Sequence, residues 1–453
     1  MKKGLSLISL LLAAGMLFTA CNNKTPATSQ PSNLSGGSSQ VTSNEPITIT
    51  MVESLTSPDR TAIIREIADK FEAQNKNVTV EIISPPLEGA DQKISQMLQA
   101  KEKVDIVEVR DNTVKMMANN SWLMPLNSYI DNWDEKDTLS ESAHVAMNML
   151  GDDIYMIPYG FYEWILFYRL DWFKEAGLEA PVTWEDVYEA GKILTNPDQN
   201  RYGYSYRGGS GGVDHYDMRM IEYVGEDALA DMFNAYYMKD GTTIFADSRA
   251  AEALEFQKKL YEEISPKDSI AWGFPEMVQA FIGGTTAMMI QSPEVIISCQ
   301  ESMEDGEWAV APRPQGPNGV GLSPAGYAGW GITSHSKNPD IAAKFLLFLS
   351  NAENNTYFDK EYSMPPIHTT ASELDPVFVE GPLSVFAKMN AEPDHYKLAL
   401  VPQGFAAYAK YRSTADQWDQ KYLVGEITLE ECLQYSDEYW TEALQEEGKP
   451  WEK

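Results

Sequence analysis

The chain has 453 residues, 43% of them apolar, with 11 Trp, 23 Tyr and 16 Phe, which is more than one ordinary core accommodates, so two domains are expected. The formal net charge of −32 sets up a field that repels phosphate backbones and anionic headgroups and excludes nucleic-acid binding. Three cysteines and five scattered histidines fall into no CxxC or HExxH spacing, so no metal site is expected.

Met1 to Lys3 is a short positive start, and Gly4 to Ala20 carries no charge and is mostly Leu, Ile and Ala. That is the layout of a signal peptide (1–20), its apolar run too short for a convincing membrane span. The run ends Leu17-Phe18-Thr19-Ala20-Cys21. This resembles a bacterial lipobox, with Phe18 where that motif usually has Leu. The resemblance implies that Cys21 is diacylated and becomes the N-terminus, and more than one acyl chain makes such anchoring stable. Asn22 to Glu45 is mostly Ser, Thr, Asn, Gly, Gln and Pro, with Lys24 the only charge before Glu45. Such a composition cannot form a core and reads as a tether (21–45, with the lipidated Cys).

The folded part starts at Ile47. Ile47 to Val52 alternates like a strand, and Ser57-Pro58-Asp59 opens a helix with Ile63, Ile64, Ile67, Ala68 and Phe71 on one face. Val78 to Ile83 is a second strand, Ile94, Met97 and Leu98 mark a helix, and Val104 to Val109 is a third strand. This alternation means βαβ units and a mostly parallel sheet. Ile154 to Ile157 is a short strand that stops at Pro158, followed by an aromatic loop of Tyr159, Phe161, Tyr162 and Trp164. Ile165 to Tyr168 is a buried strand, the next helix stops at Gly177, and Thr183 caps another with Asp186 in the capping-box place. Tyr202 to Arg207 alternates. Gly208 to Gly212 lacks the Lys-Ser/Thr of a phosphate loop and reads as a flexible turn. Helices follow at Ala250–Glu262 and Met277–Ile282, then a strand at Trp308–Pro312 and a Pro/Gly-rich crossing at Arg313–Pro324. A Gly-rich strand at Ala328–Thr333, a helix at Ser336–Ser350 and an acidic helix at Thr428–Leu444 complete the chain. Cys299 and Cys432 read as free buried thiols, with pairing outside the cell left open.

Several stretches together resemble one family. They are FEAQNKNVTVEI from Phe71, VDIVEV from Val104, NNSWLMPLNSYI from Asn119, FKEAGLEAPVTWED from Phe173, GGTTAMMIQSPE from Gly283 and SKNPDIAAKFLLFLS from Ser336. In this order they resemble the family 1 extracellular solute-binding proteins, the receptors of ABC importers, mostly for carbohydrates. The resemblance runs from about Ile47 to Leu444. It implies a two-lobed α/β fold of the periplasmic-binding-protein kind, each lobe a mostly parallel sheet flanked by helices, the lobes joined by crossing hinge segments. Residues 46–162 plus 320–378 would form one lobe, and 163–319 plus 379–453 the other. It also implies a monomeric receptor that binds a sugar or oligosaccharide between the lobes and delivers it to the permease subunits of an ABC importer. The receptor would be held on the extracytoplasmic face of the cell membrane by its lipid anchor alone.

A sugar presents hydroxyls around its rim and C–H faces above and below, so its cleft needs planar hydrogen-bonding side chains and aromatic planes. In doubly wound sheets ligands sit at the carboxyl ends of strands. That rule picks Glu53 and Ser54 after the first strand, and Arg110, Asp111 and Asn112 after the third. The aromatic loop adds Tyr159 and Glu163, the later strands add Arg207, Ser292, Glu294 and Trp330, and loop or helix positions add Trp272 and Tyr408. The resemblance implies ligand contacts near most of these. Trp330, between Gly329 and Gly331, is expected to project into the cleft as an aromatic platform.

No GxSxG elbow, nucleotide fingerprint or cofactor motif occurs, so neither catalysis nor a cofactor is expected. A surface polysaccharide-acting hydrolase and a ligand-binding partner of a sensor are the alternatives. With 67 Asp and Glu, no pair of carboxylates stands out as a glycosidase pair. Arg207, Arg313 and Arg412 leave an acidic sugar open as ligand. The lipobox reading has a direct test: Cys21→Ser releases the protein into the soluble fraction, and retention of the substituted protein on membranes refutes it.

Overall fold

Alternating β-branched residues build the first strands as expected. The computed structural model describes residues 45–87, 89–405 and 407–449; the expected signal peptide, Cys21 and most of the tether lie outside the described residues. The strands are β1 (Ile47–Val52), β2 (Val78–Ile83), β3 (Ile106–Arg110), β4 (Ile157–Phe161), β5 (Ile165–Tyr168), β6 (Tyr202–Tyr204), β7 (Thr286–Gln291), β8 (Ala309–Ala311), β9 (Gly321–Pro324), β10 (Tyr327–Ile332) and β11 (Tyr396–Ala399). One sheet has the order β2-β1-β3-β10-β4 and a second has the order β6-β7-β5-β8, while β9 and β11 form a parallel pair.

In each large sheet all strands but one share a direction. β1 is parallel to β2 and β3, while β10 is antiparallel to β3 and β4. β6 is parallel to β7, while β5 is antiparallel to β7 and β8. The two exceptions are the strands that follow a crossing from one sheet to the other. A strand fed from the opposite sheet enters at the inner edge, where the others end, and so runs against them.

The apolar residues divide with the sheets. Met51, Ile64, Phe71, Ile106, Trp330 and Phe345 belong to one core. Leu166, Trp184, Ile221, Leu260 and Trp440 belong to another. Ile165, Phe167, Met277 and Phe281 form a third cluster on the opposite face of β5, because successive residues of a strand point to opposite sides. Ala371 and Phe378 pack in this third cluster, with residues of the second sheet. Cys299 and Cys432 are both buried and free.

Three chain segments cross between the sheets and are sewn side by side. The Tyr162 amide donates to the Gly326 carbonyl at 2.8 Å, the Trp164 amide to Ser323 Oγ at 2.8 Å, and the Ala325 amide to the Ala399 carbonyl at 2.9 Å. Arg313 is the rivet. Its Nε donates to the Gly321 carbonyl at 2.9 Å, Nη2 to the Lys397 carbonyl at 3.0 Å, and Nη1 meets Glu163 at 3.3 Å.

The capping devices appear where the sequence puts them. Ser57 accepts from the Arg60 amide, Thr183 and Asp186 form a reciprocal capping box, and Gly177 ends its helix at φ +68. Three expectations change. Pro158 does not end a strand; it lies within β4, tolerated because β4 is the sheet edge and needs no donor there. Tyr159 and Phe161 therefore belong to that strand and not to a loop. The Gly208–Gly212 turn is close-packed: a Cβ at Gly208 would lie 2.6 Å from the Ile270 Cα, and one at Gly209 2.6 Å from the Ala271 carbonyl. The helix Val213–Val224 is buried on nearly every side, its Asp217, Arg219 and Glu222 included, so it lacks the exposed polar face of a surface helix.

Asp217, Asp359 and Asp419 are buried carboxyls pushed well above the usual carboxylate range by desolvation. A raised folded pKa gives stability that is present below the unfolded value near 3.9 and lost as pH rises through the folded one. The melting temperature is therefore expected to be higher at mildly acidic than at alkaline pH. Asp359→Asn, which removes one of these protons from the balance, is expected to flatten that slope. A pH profile of thermal unfolding for both proteins measures it.

Candidate functional site

The carboxyl ends of β1 and β3 are held by a buried ion cluster. Arg60, with no exposed side-chain surface, meets Glu53 at 2.7 Å and Glu108 at 2.6 Å. The hydroxyls of Thr61 and Ser84 also donate to Glu53, and the Ser54 amide and the Tyr159 hydroxyl (2.6 Å) donate to Glu108. The rings of Tyr159, Trp330, Phe358 and Tyr362 surround the guanidinium at 4.9 to 5.8 Å.

This cluster corrects four sequence expectations. Glu53 and Ser54 are buried and spend their polar atoms inside the first lobe, so they support the strand ends from beneath. Tyr159 is engaged in the same way. Trp330 is 1% exposed, 5.5 Å from the Tyr159 ring, and no platform. Its flanking glycines have another cause: a Cβ at Gly329 would lie 2.3 Å from the Ile157 carbonyl, and one at Gly331 2.7 Å from the Tyr155 carbonyl. They admit the β4 backbone and leave no room for the indole to project. A fifth expectation changes at the crossing, where Glu163 is buried against Arg313 and acts as a hinge staple.

The remaining candidates gather on two facing surfaces. Asp111 is half-buried at the start of the helix Asp111–Asn119, next to exposed Asn112, whose amide donates to it at 2.7 Å. Burial pushes the Asp111 carboxyl up to about 6, against the pull of the Asn112 amide, Arg110, Arg412 and Gln403. Arg412 and Gln403 come from the opposite side of the gap, as does Tyr408, whose hydroxyl is affected by the Asp111 charge. Arg412 is fixed by Asp214, with Nε to Oδ1 at 2.9 Å. Arg207 donates from Nε to the Ser210 carbonyl at 2.9 Å and is flanked by the charges of Asp214, Arg412 and Asp416. The close-packed glycine turn joins it to Trp272, whose carbonyl accepts from the Gly209 amide at 2.8 Å.

Ser292 and Glu294 follow β7. The Ser292 hydroxyl lies 2.6 Å from Glu294 Oε1, while Glu294 Oε2 has no hydrogen-bond partner among the described residues. Burial raises the Glu294 carboxyl. Its charge is felt by Tyr362, which also bonds Tyr162 at the first crossing. A cavity of about 530 Å³ starts at Asp111 and Gln403 and continues between Val145 and Asn148 on one side and Phe233 and Leu400 on the other. Of the sequence candidates, only Asp111 lines it.

Asp111 and Tyr408 thus interact electrostatically with Arg412, as does Arg207, while Trp272 is tied by its backbone to the turn that follows Arg207. Sequence reasoning did not single out Gln403, which lines the cavity with Asp111, nor Asp214, which holds Arg412, nor Tyr362. Arg412, weighed only for its charge, carried a usable signal, since it stands four residues after Tyr408 and so on the same helical face.

The family model described as bacterial extracellular solute-binding protein matches residues 56–356. The chain is 25% identical over 317 residues to a mannitol-binding protein of Pseudomonas aeruginosa, covering 66% of this chain and 69% of that one. It is similar in structure to an ABC substrate-binding protein from Listeria monocytogenes in complex with cycloalternan, with a TM-score of 0.73 and 20% identity over 89% of this chain and 100% of that one. The GacH receptor of Streptomyces glaucescens, solved unliganded and with acarbose, gives a TM-score of 0.74 and 20% identity over 88% and 99%.

Trp330→Ala is expected to cost about 3–5 kcal/mol of stability, as for a truncated core aromatic. Tyr408→Ala, at a half-buried ring packed against the second core, is expected to cost less than Trp330→Ala. Thermal unfolding of both variants measures the difference, and a Trp330→Ala protein that melts like the parent contradicts the assignment.

Proposed function

Because the chain belongs to the bacterial extracellular solute-binding proteins, we propose that it is a non-catalytic receptor that binds a sugar or oligosaccharide between its lobes and hands it to an ABC importer. The observation that carries the reading is the cavity of about 530 Å³ that Asp111 and Gln403 line together, with Arg412 and Tyr408 near enough to interact electrostatically with Asp111. Carboxylate, amide and guanidinium edges around an aromatic ring suit a hydroxylated ligand with apolar faces. Mannitol, cycloalternan and acarbose, named for the related proteins, share that chemistry. Lobes at 46–162 plus 320–378 and at 163–319 plus 379–453 are supported by the division of the cores, apart from Leu322, Ala371 and Phe378, which pack with the second lobe, and Leu400, which packs with the first. The sewn crossings supply a hinge about which such lobes close. Attachment to the outer face of the membrane through Cys21, and a monomeric state, complete the proposal.

A thermal-shift screen of sugars, with product analysis of each hit, tests it. A receptor is stabilised by an amount that grows with ligand excess, about 2.7 kcal/mol at a hundredfold excess over Kd, and returns the sugar intact. Cleaved sugar turns the reading to the hydrolase. The Asp111 carboxylate accepts ligand hydroxyls in its ionised form, so protonation competes with binding. Affinity is expected to be flat above pH 7 and to fall roughly tenfold by pH 5. Asp111→Asn is expected to lose that dependence, as titration calorimetry across this range will show.

A further inference from the structure

We propose that Phe233 is the stacking surface of a second sugar subsite, so that the cavity takes an oligosaccharide in preference to a single sugar ring. This rests on the sugar reading above and names the length of ligand that the same cavity accepts.

Phe233 stands apart from the aromatic residues around it. Tyr236 and Tyr237, just after it, are buried in the second core, whereas Phe233 is 49% exposed. Its backbone is nevertheless fixed. The Phe233 amide donates to Asp231 Oδ1 at 3.0 Å, and Asn234 Nδ2 donates to Asp231 Oδ2 at 2.7 Å. The segment is also pinned on both sides to Leu400, the residue after β11. The Leu400 amide donates to the Met232 carbonyl at 2.8 Å, and the Ala235 amide donates to the Leu400 carbonyl at 2.9 Å. A ring presented by so constrained a loop has little freedom left to lose when a ligand covers it, which is the condition for a preorganised contact.

The cavity changes character along its length. Asp111 and Gln403 line its polar end, together with Lys115, whose Nζ would lie 2.7 Å from a Cβ at Gly404. A second cavity of about 190 Å³ shares Val145, Phe233 and Leu400 with the first, and none of those polar residues. Phe233 thus stands where the two cavities meet, away from the polar end. Val145, from the first lobe and 36% exposed, lines both as well. A single ring held at Asp111 fills the polar end and leaves the Phe233 ring in water. A second ring joined to the first reaches the junction, where a pyranose offers the C–H face that an aromatic plane covers. A wholly apolar ligand would instead bury the polar end without partners. A chain of sugar rings meets both requirements.

The test is titration calorimetry at neutral pH with matched series: glucose, maltose and maltotriose; glucose, cellobiose and cellotriose; xylose, xylobiose and xylotriose; mannose, mannobiose and mannotriose. In each series that binds, affinity is expected to rise at least about tenfold from the single sugar to the trisaccharide. Phe233→Ala is expected to bring the two to within about threefold of each other by weakening the trisaccharide, with the unliganded melting temperature nearly unchanged. Phe233→Tyr, which keeps an aromatic face, is expected to retain the preference. A single sugar that binds the parent protein as tightly as its trisaccharide overturns the role of Phe233 while leaving the sugar reading in place. So does a preference unmoved by Phe233→Ala, the result when the ring acts on lobe movement and every member of a series weakens equally. No binding in any series overturns the sugar reading and this inference with it.

Discussion

A guanidinium with no exposed side-chain surface holds the first lobe in register with the gap. Arg60, on the first helix, ties Glu53 at the end of β1 to Glu108 within β3. Removing one partner of such a buried cluster leaves an uncompensated charge, typically at a cost of about 3–5 kcal/mol. The cluster also explains its surroundings. Tyr159 and Trp330 are walls around a cation, and the glycines beside Trp330 exist so that β4 can close the sheet over it. Asp111 is presented at the gap because the strand before it is anchored from below.

The second lobe has a different device. The chain passes between the sheets at β4–β5, at β8–β10 and ahead of β11, and these passages are joined by backbone hydrogen bonds and by Arg313. Few contacts of this kind are needed for a hinge, since rotation about sewn extended segments requires small dihedral changes spread over several residues. Glu163 gains its role from this geometry. As the partner of Arg313 it keeps a buried positive charge neutralised at the point about which the lobes would move.

Between the lobes the polarity is uneven. Arg412 is held by Asp214, whereas Arg207 donates only from Nε, to the Ser210 carbonyl. Burial raises the carboxyls of Asp111 and Glu294, so both lie closer to their neutral forms than an exposed carboxylate does. At longer range the overall acidity of the chain sets up a field of one sign that discourages anions.

Local chemistry carried much of this in plain view. Caps at Ser57, Thr183 and Thr428, the αL glycine at 177 and the alternation of β1 and β2 depend on neighbours within a few residues, so the chain's own order determines them. The strand ends before Asp111 and before the Ser292–Glu294 turn are set by local order in the same way. Tertiary structure decided which polar groups remained free. Glu53 and Glu108 are both near strand ends, but Arg60 takes them while Asp111 escapes. Trp330 looked exposed between its glycines, yet a glycine also marks where another backbone must approach, and only the pairing of β10 with β4 chooses between the two. Sequence proximity specifies donors and acceptors; their satisfaction is a property of three-dimensional neighbours hundreds of residues away, and that is what separates a supporting residue from one that faces a ligand.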